Sequence, residues 1–94
     1  MHNSKIIRKH FIFSGRVQEV GFRYSAFSIA TKLGLTGWVR NEWDGSVEME
    51  AQGTEEKIQK LVAQLDRRPF ISIEYIEEQL LPTIDDEVNF TILN

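Results

Sequence analysis

The spacing of apolar residues switches between two periods along this chain, and the order of the switches leaves few folds open. Residues 6–14, Ile-Ile-Arg-Lys-His-Phe-Ile-Phe-Ser, place Ile7, Phe11 and Phe13 on one face of a segment rich in β-branched and aromatic side chains, as a strand does. From Phe22 the period lengthens. Phe22, Ala26, Ile29, Ala30 and Leu33 fall on one stripe of a helix, and Gly34 follows where a left-handed C-terminal cap belongs. Residues 36–42 return to strand character and Asp44-Gly45 is a hairpin-turn pair. Residues 46–52 then alternate, with Val47, Met49 and Ala51 inward and Ser46, Glu48, Glu50 and Gln52 outward. Thr54 is placed to cap a second helix over 55–66, whose stripe is Ile58, Leu61, Val62 and Leu65 and whose first turn carries Glu55 and Glu56. Arg67-Arg68-Pro69 ends it. A strand over 71–79, a break at Pro82 and a short last strand over 88–93, alternating Val88, Phe90 and Ile92, complete the chain.

This order, β-α-β-β-α-β with one terminal strand added, predicts an α+β, ferredoxin-like sandwich: an antiparallel sheet with two helices on one face. Ninety-four residues suffice for one hydrophobic core, so a single domain over 1–94 is expected.

Composition removes several function classes. With no cysteine there are no disulfides and no thiolate metal sites. No apolar run approaches the roughly 20 residues that span a bilayer, so no membrane role is expected. The polar start Met1-His2-Asn3-Ser4-Lys5 lacks a signal-peptide apolar core, and a cytoplasmic location is expected. Charge is segregated: residues 1–40 hold seven Lys or Arg and one acid, Glu19, whereas residues 41–94 hold four basic and thirteen acidic side chains. A net charge of −3 argues against general nucleic-acid binding. RNA recognition motifs share the element order, but they carry stacking aromatics on the strand where this chain offers Glu48 and Glu50. The basic N-terminal half is suited to a small anion.

Three features point to where such an anion would sit. The loop Gly15-Arg16-Val17-Gln18-Glu19-Val20-Gly21 joins a strand to a helix N-terminus, where backbone N–H groups and the helix dipole favour negative charge. It is not a Walker A loop, because Phe22-Arg23 stands where Lys-Ser/Thr would be required. Arg23, in the first helical turn, is a cation at the end of the dipole that repels cations. Either it shares a bound phosphate with the loop amides, or its stem packs on the sheet and its head is solvated. Asn41 interrupts a strand that disfavours it, and it reads either as a site residue or as a turn-entry residue. His2 and His10 are not expected catalysts, and Asp85-Asp86-Glu87 reads as a solvated acidic loop. Trp38 and Trp43 read as core or rim packing.

Residues 15–23, GRVQEVGFR, and 35–45, LTGWVRNEWDG, resemble the two signature segments of acylphosphatases, G-R-V-Q-G-V-G-F-R and G-W-V-R-N-x-x-D-G, at the right separation. Val47-Glu48 and Ala51-x-Gly53 continue the likeness, and the C-terminal third matches in element order. The resemblance implies the fold derived above and metal-free, cofactor-free hydrolysis of acyl phosphates to a carboxylate and inorganic phosphate. It further implies that Arg23 and Asn41 are catalytic and that the loop from Gly15 through Arg16, Val17, Gln18, Glu19, Val20 and Gly21 to Phe22 binds the phosphate. A phosphate- or ligand-binding module without turnover is the alternative, and the first domain of a larger carbamoyltransferase is another context for the same motifs, although a chain ending at Asn94 reads as free-standing. One residue departs from the pattern: Glu19 stands where the family has glycine. It is expected to point to solvent, toward Arg16, or else to weaken phosphate binding.

Overall fold

A computed structural model describes residues 5–94. The elements are β1 (Ile6–Arg16), α1 (Phe22–Leu33), β2 (Thr36–Asn41), β3 (Val47–Thr54), α2 (Glu55–Asp66), β4 (Ser72–Leu81) and β5 (Phe90–Ile92). They build a five-stranded sheet in the order β4-β1-β3-β2-β5. β1 lies antiparallel to both β3 and β4, and β2 antiparallel to β3.

The added strand makes the sheet mixed rather than antiparallel, because Gly37–Val39 of β2 pairs in parallel with Phe90–Ile92 of β5. The connection sets the direction. Residues 82–89 cross the sheet near the end where β4 stops, held there by the bonds of Gln52 to Ile84 and of Arg8 to Glu87, so β5 starts at that end and runs with β2. It is also shorter than the expected 88–93: Val88 precedes it and is exposed.

One sheet face and the two helices enclose the core. Phe11 and Phe13 of β1, Val39 of β2 and Val47, Met49 and Ala51 of β3 meet Phe22, Ala26, Ile29 and Ala30 of α1 and Ile58, Leu61 and Leu65 of α2. Phe13 is central, with ring centroids 5.5 Å from Phe11 and 5.0 Å from Phe22. Thr54 caps α2 as its sequence suggests, its hydroxyl accepting from the Lys57 N–H.

β1 runs two residues beyond the expected 6–14 because a bulge between Ser14 and Gly15 lets Gly15 and Arg16 resume pairing with Ile73 and Ser72. Only glycine serves here: at φ 125° a Cβ on Gly15 would stand 2.3 Å from the Ser72 carbonyl oxygen. The strand ends at Arg16 and the chain passes into the loop before α1.

The face away from the helices is polar and crossed by a strap. Arg8, only 1% exposed, donates to Glu50 at 2.7 Å and to both carboxylate oxygens of Glu87 at 2.8 and 3.2 Å. Gln52 holds the backbone of Ile84 through its N–H and its carbonyl, each at 2.8 Å. Glu87 is therefore a half-buried ion-pair partner and not part of a solvated acidic loop, since a buried guanidinium requires compensation. Ser46, expected to face outward, sits buried in the turn before β3.

Candidate active site

The loop after β1 is anchored by Val17, 1% exposed in the core. Beyond it the backbone turns left-handed twice, at Glu19 (φ 62°) and at Gly21 (φ 80°), with Val20 between them. Such alternation turns successive N–H groups into a concavity that accepts anions. Among the described residues, the backbone N–H groups of Gln18, Glu19, Val20 and Gly21 find no acceptor. Gly21 is also the N-cap of α1, which has no side-chain cap and no acidic residue in its first turn. The positive end of the dipole is thus left uncompensated beside the loop.

Arg23, the second residue of α1, makes no hydrogen bond or ion pair with any described residue. It lines a cavity of about 230 Å³ together with Val17, Glu19, Gly21, Phe22 and Asn41, and Tyr24 and Ile92 close its sides. A larger groove of about 520 Å³ between α2 and β4 brings together no comparable set of groups.

Asn41 is the last residue of β2, opposite Val47. The turn that follows is fixed without its side chain. The Asp44 carboxylate accepts from the Ser46 hydroxyl at 2.6 Å and the Ser46 N–H at 3.0 Å, and these bonds hold it below the usual carboxylate range. The Glu42 and Gly45 N–H groups donate across the turn to Ser46 and Glu42 carbonyls. Turn entry therefore does not account for Asn41. Its Oδ1 atom is buried and has no hydrogen-bond partner, a state that costs about 1–3 kcal/mol. That open acceptor lies in the cavity that holds Arg23, where it is available to a ligand or a water.

Gln18 ties the two segments together. Its Nε2 donates to the Glu42 carbonyl at 2.7 Å and to the Ser46 carbonyl at 2.8 Å, fastening the loop to the β2–β3 turn. Of the residues expected to bind phosphate, Val17, Glu19, Gly21 and Phe22 line the cavity, while Gly15, Arg16, Gln18 and Val20 do not. Arg16 still belongs to β1, and Val20 packs against the core. Glu19 makes no ion pair with Arg16 or any other described residue. Sequence reasoning missed Ile92 and Tyr24, whose only signals were strand alternation and helix exposure. It also missed the fully exposed Trp43 in the turn beside Asn41, since an isolated tryptophan reads as packing. Among the described residues, no group of three or more His, Asp or Glu is placed to hold a metal ion. Nor is any described helix long and apolar enough to cross a membrane.

The comparisons with known proteins agree with this fold. The acylphosphatase family model matches residues 9–92. An acylphosphatase of Bifidobacterium longum is 44% identical over 85 residues, which cover 89% of this chain and 88% of that protein. The crystal structure of acylphosphatase from Bacillus subtilis superimposes with a TM-score of 0.86 at 35% identity, over 94% of this chain and 99% of that one. Full-length HypF, in its phosphate- and nucleotide-bound form, contains a similar unit (TM-score 0.81, 25% identity) that is 12% of its chain and covers 99% of this one. The chain belongs to the acylphosphatase family, the hydrolases of acyl phosphates, and a binding module without turnover is not favoured.

Proposed function

We propose that the acyl phosphate is cleaved by in-line attack of a water held by Asn41 while Arg23 and the loop N–H groups hold the phosphoryl group. The water oxygen forms a bond to phosphorus as the bond from phosphorus to the acyl oxygen breaks. The carboxylate leaves with the electron pair, and the water's proton passes to phosphate or solvent. A carboxylate is a stable leaving group, so no strong general acid is needed. The transition state for phosphoryl transfer is loose, and positioning and charge stabilisation dominate. Arg23 supplies a planar, permanently charged pair of donors to the non-bridging oxygens of the phosphoryl group. The amides from Gln18 to Gly21 and the start of α1 add partial positive charge. Inorganic phosphate is the product. The reading includes one domain over 1–94, a cytoplasmic location and no role in nucleic-acid binding, in keeping with the composition and the acidic strand β3.

The observation that carries the proposal is the buried, unpartnered Oδ1 of Asn41 in the same cavity as an unpaired Arg23. Hydrolysis of benzoyl phosphate, with inorganic phosphate as a competitive inhibitor, tests it. Arg23→Ala should lose both turnover and phosphate inhibition, with kcat down by roughly 10²–10³. Asn41→Ala should lose turnover while phosphate inhibition stays near wild type, because it acts on the water. Near-normal turnover in either variant would refute the assigned role.

A further inference from the structure

Glu19 holds a left-handed backbone conformation that glycine adopts freely and other residues resist. No described residue engages its side chain. It is exposed, and no described residue gives its carboxylate a hydrogen bond or an ion pair. Yet it lines the cavity that holds Arg23 and Asn41. The site therefore carries a negative charge that no described group pairs with, next to the groups assigned to the phosphoryl moiety.

That charge cannot discriminate on the phosphoryl group, which is common to every acyl phosphate and whose repulsion cancels between substrates. What varies is the charge of the acyl group. A cavity of about 230 Å³ is below the roughly 300–1,000 Å³ of drug-sized ligand sites. A ligand seated in it stands within about one Debye length of Glu19, ~8 Å at physiological salt. From these observations, and resting on the hydrolytic reading above, we infer that Glu19 is a specificity residue that selects acyl phosphates with neutral or cationic acyl groups over those bearing a carboxylate or a further phosphate. At an exposed carboxylate about 8 Å away, each unit of acyl charge changes kcat/KM by about two- to fivefold.

Three rigid substrates isolate the effect: benzoyl phosphate, 4-carboxybenzoyl phosphate and 4-(trimethylammonio)benzoyl phosphate. Their intrinsic reactivities differ but cancel when the same three are compared between proteins. Glu19→Gln keeps the side chain and the backbone cost and removes only the charge. It should raise kcat/KM for the carboxy substrate relative to the trimethylammonio substrate by about 4–25-fold, the product of two unit-charge effects. In 0.5 M salt the difference between wild type and Glu19→Gln should shrink as screening shortens. A change in that ratio of less than twofold at low salt would overturn the inference while leaving the hydrolytic reading intact. Should wild type hydrolyse none of the three, the hydrolytic reading fails. Calorimetric binding of the corresponding benzoylphosphonates then decides this one: the same charge ranking, lost in Glu19→Gln, supports it, and equal affinities overturn it.

Discussion

Replacing Gln18 with alanine deletes two hydrogen bonds, to the carbonyls of Glu42 and Ser46 at 2.7 and 2.8 Å. Each is worth a net ~0.5–1.5 kcal/mol, so the pair contributes roughly 1–3 kcal/mol. The lower part of that range applies, because neither carbonyl is orphaned: Glu42 still accepts from the Gly45 N–H and Ser46 from the Glu42 N–H. We expect a loss of about 1–2 kcal/mol, or about 4–8 °C in Tm for each kcal/mol in a domain of this size. The catalytic effect should exceed the stability effect, since the lost bonds set the spacing between the loop and Asn41. Gln18→Glu is the sharper probe. It replaces a two-hydrogen donor by an acceptor facing two carbonyl oxygens, so both kcat and stability should fall below those of Gln18→Ala. Lowering the pH until the new carboxyl binds a proton should recover part of the stability gap between the two variants. Urea denaturation from pH 4 to 7, with kcat and phosphate inhibition at neutral pH, reads all three effects. A Gln18→Ala protein equal to wild type in urea midpoint and kcat would refute the clamp. So would a Gln18→Glu protein indistinguishable from Gln18→Ala.

Asn41→Ala removes a buried acceptor without a partner, so its urea midpoint should match or exceed that of wild type even as turnover falls. A clear loss of stability would restore the turn-entry reading. Gly15→Ala should destabilise by well over 1 kcal/mol, because the new Cβ meets the Ser72 carbonyl and the Glu74 N–H of β4 at 2.3 and 2.8 Å. Thermal unfolding measures it, and a Tm within 2–3 °C of wild type (roughly 0.5 kcal/mol) would contradict the close approach. Glu87 is pushed up by burial but held below its usual range by its hydrogen bonds to Arg8. A depressed carboxylate contributes stability that is present above its unfolded pKa and is lost as pH falls through the folded one. Stability should therefore decline below about pH 4.3, and Glu87→Gln should flatten that limb. Parallel acid limbs in the two proteins would show that the Arg8 pair is not responsible.

The elements were legible because their periods are clean. Val47, Met49 and Ala51 are all fully buried, as alternation required, and α2 occupies the expected 55–66. The direction of β5 was not legible, since it depends on where Gln52 and Arg8 hold residues 82–89 across the sheet and not on any local preference. Arg8 and Glu87, 79 positions apart, each look like surface charge, and only the topology brings them together. At the site, Arg23 and Asn41 stood out because each breaks a local rule, a cation at the wrong helix end and an amide in a strand. Gln18 broke none. Its role lies in two backbone carbonyls more than twenty residues away, which no one-dimensional pattern records.

The outer strands bear on how this protein behaves when crowded with copies of itself. Among the described residues the sheet ends on β5, which is three residues long, and on β4, a ten-residue strand bonded on one side only. A long open edge is a template for another chain's strand. Here it carries Glu74 and Glu77, both exposed, and Glu78, which pairs with Lys9 at 3.0 Å, within the stretch SIEYIEEQLL, whose remaining residues are largely β-branched, aromatic or aliphatic. Stacking two such edges would bring like charges together, so Glu74 and Glu77 act as gatekeepers against fibril-like association. Their protection is a property of ionised carboxylates. With glutamine at these positions the same strand would keep its open hydrogen-bonding groups and lose its repulsion.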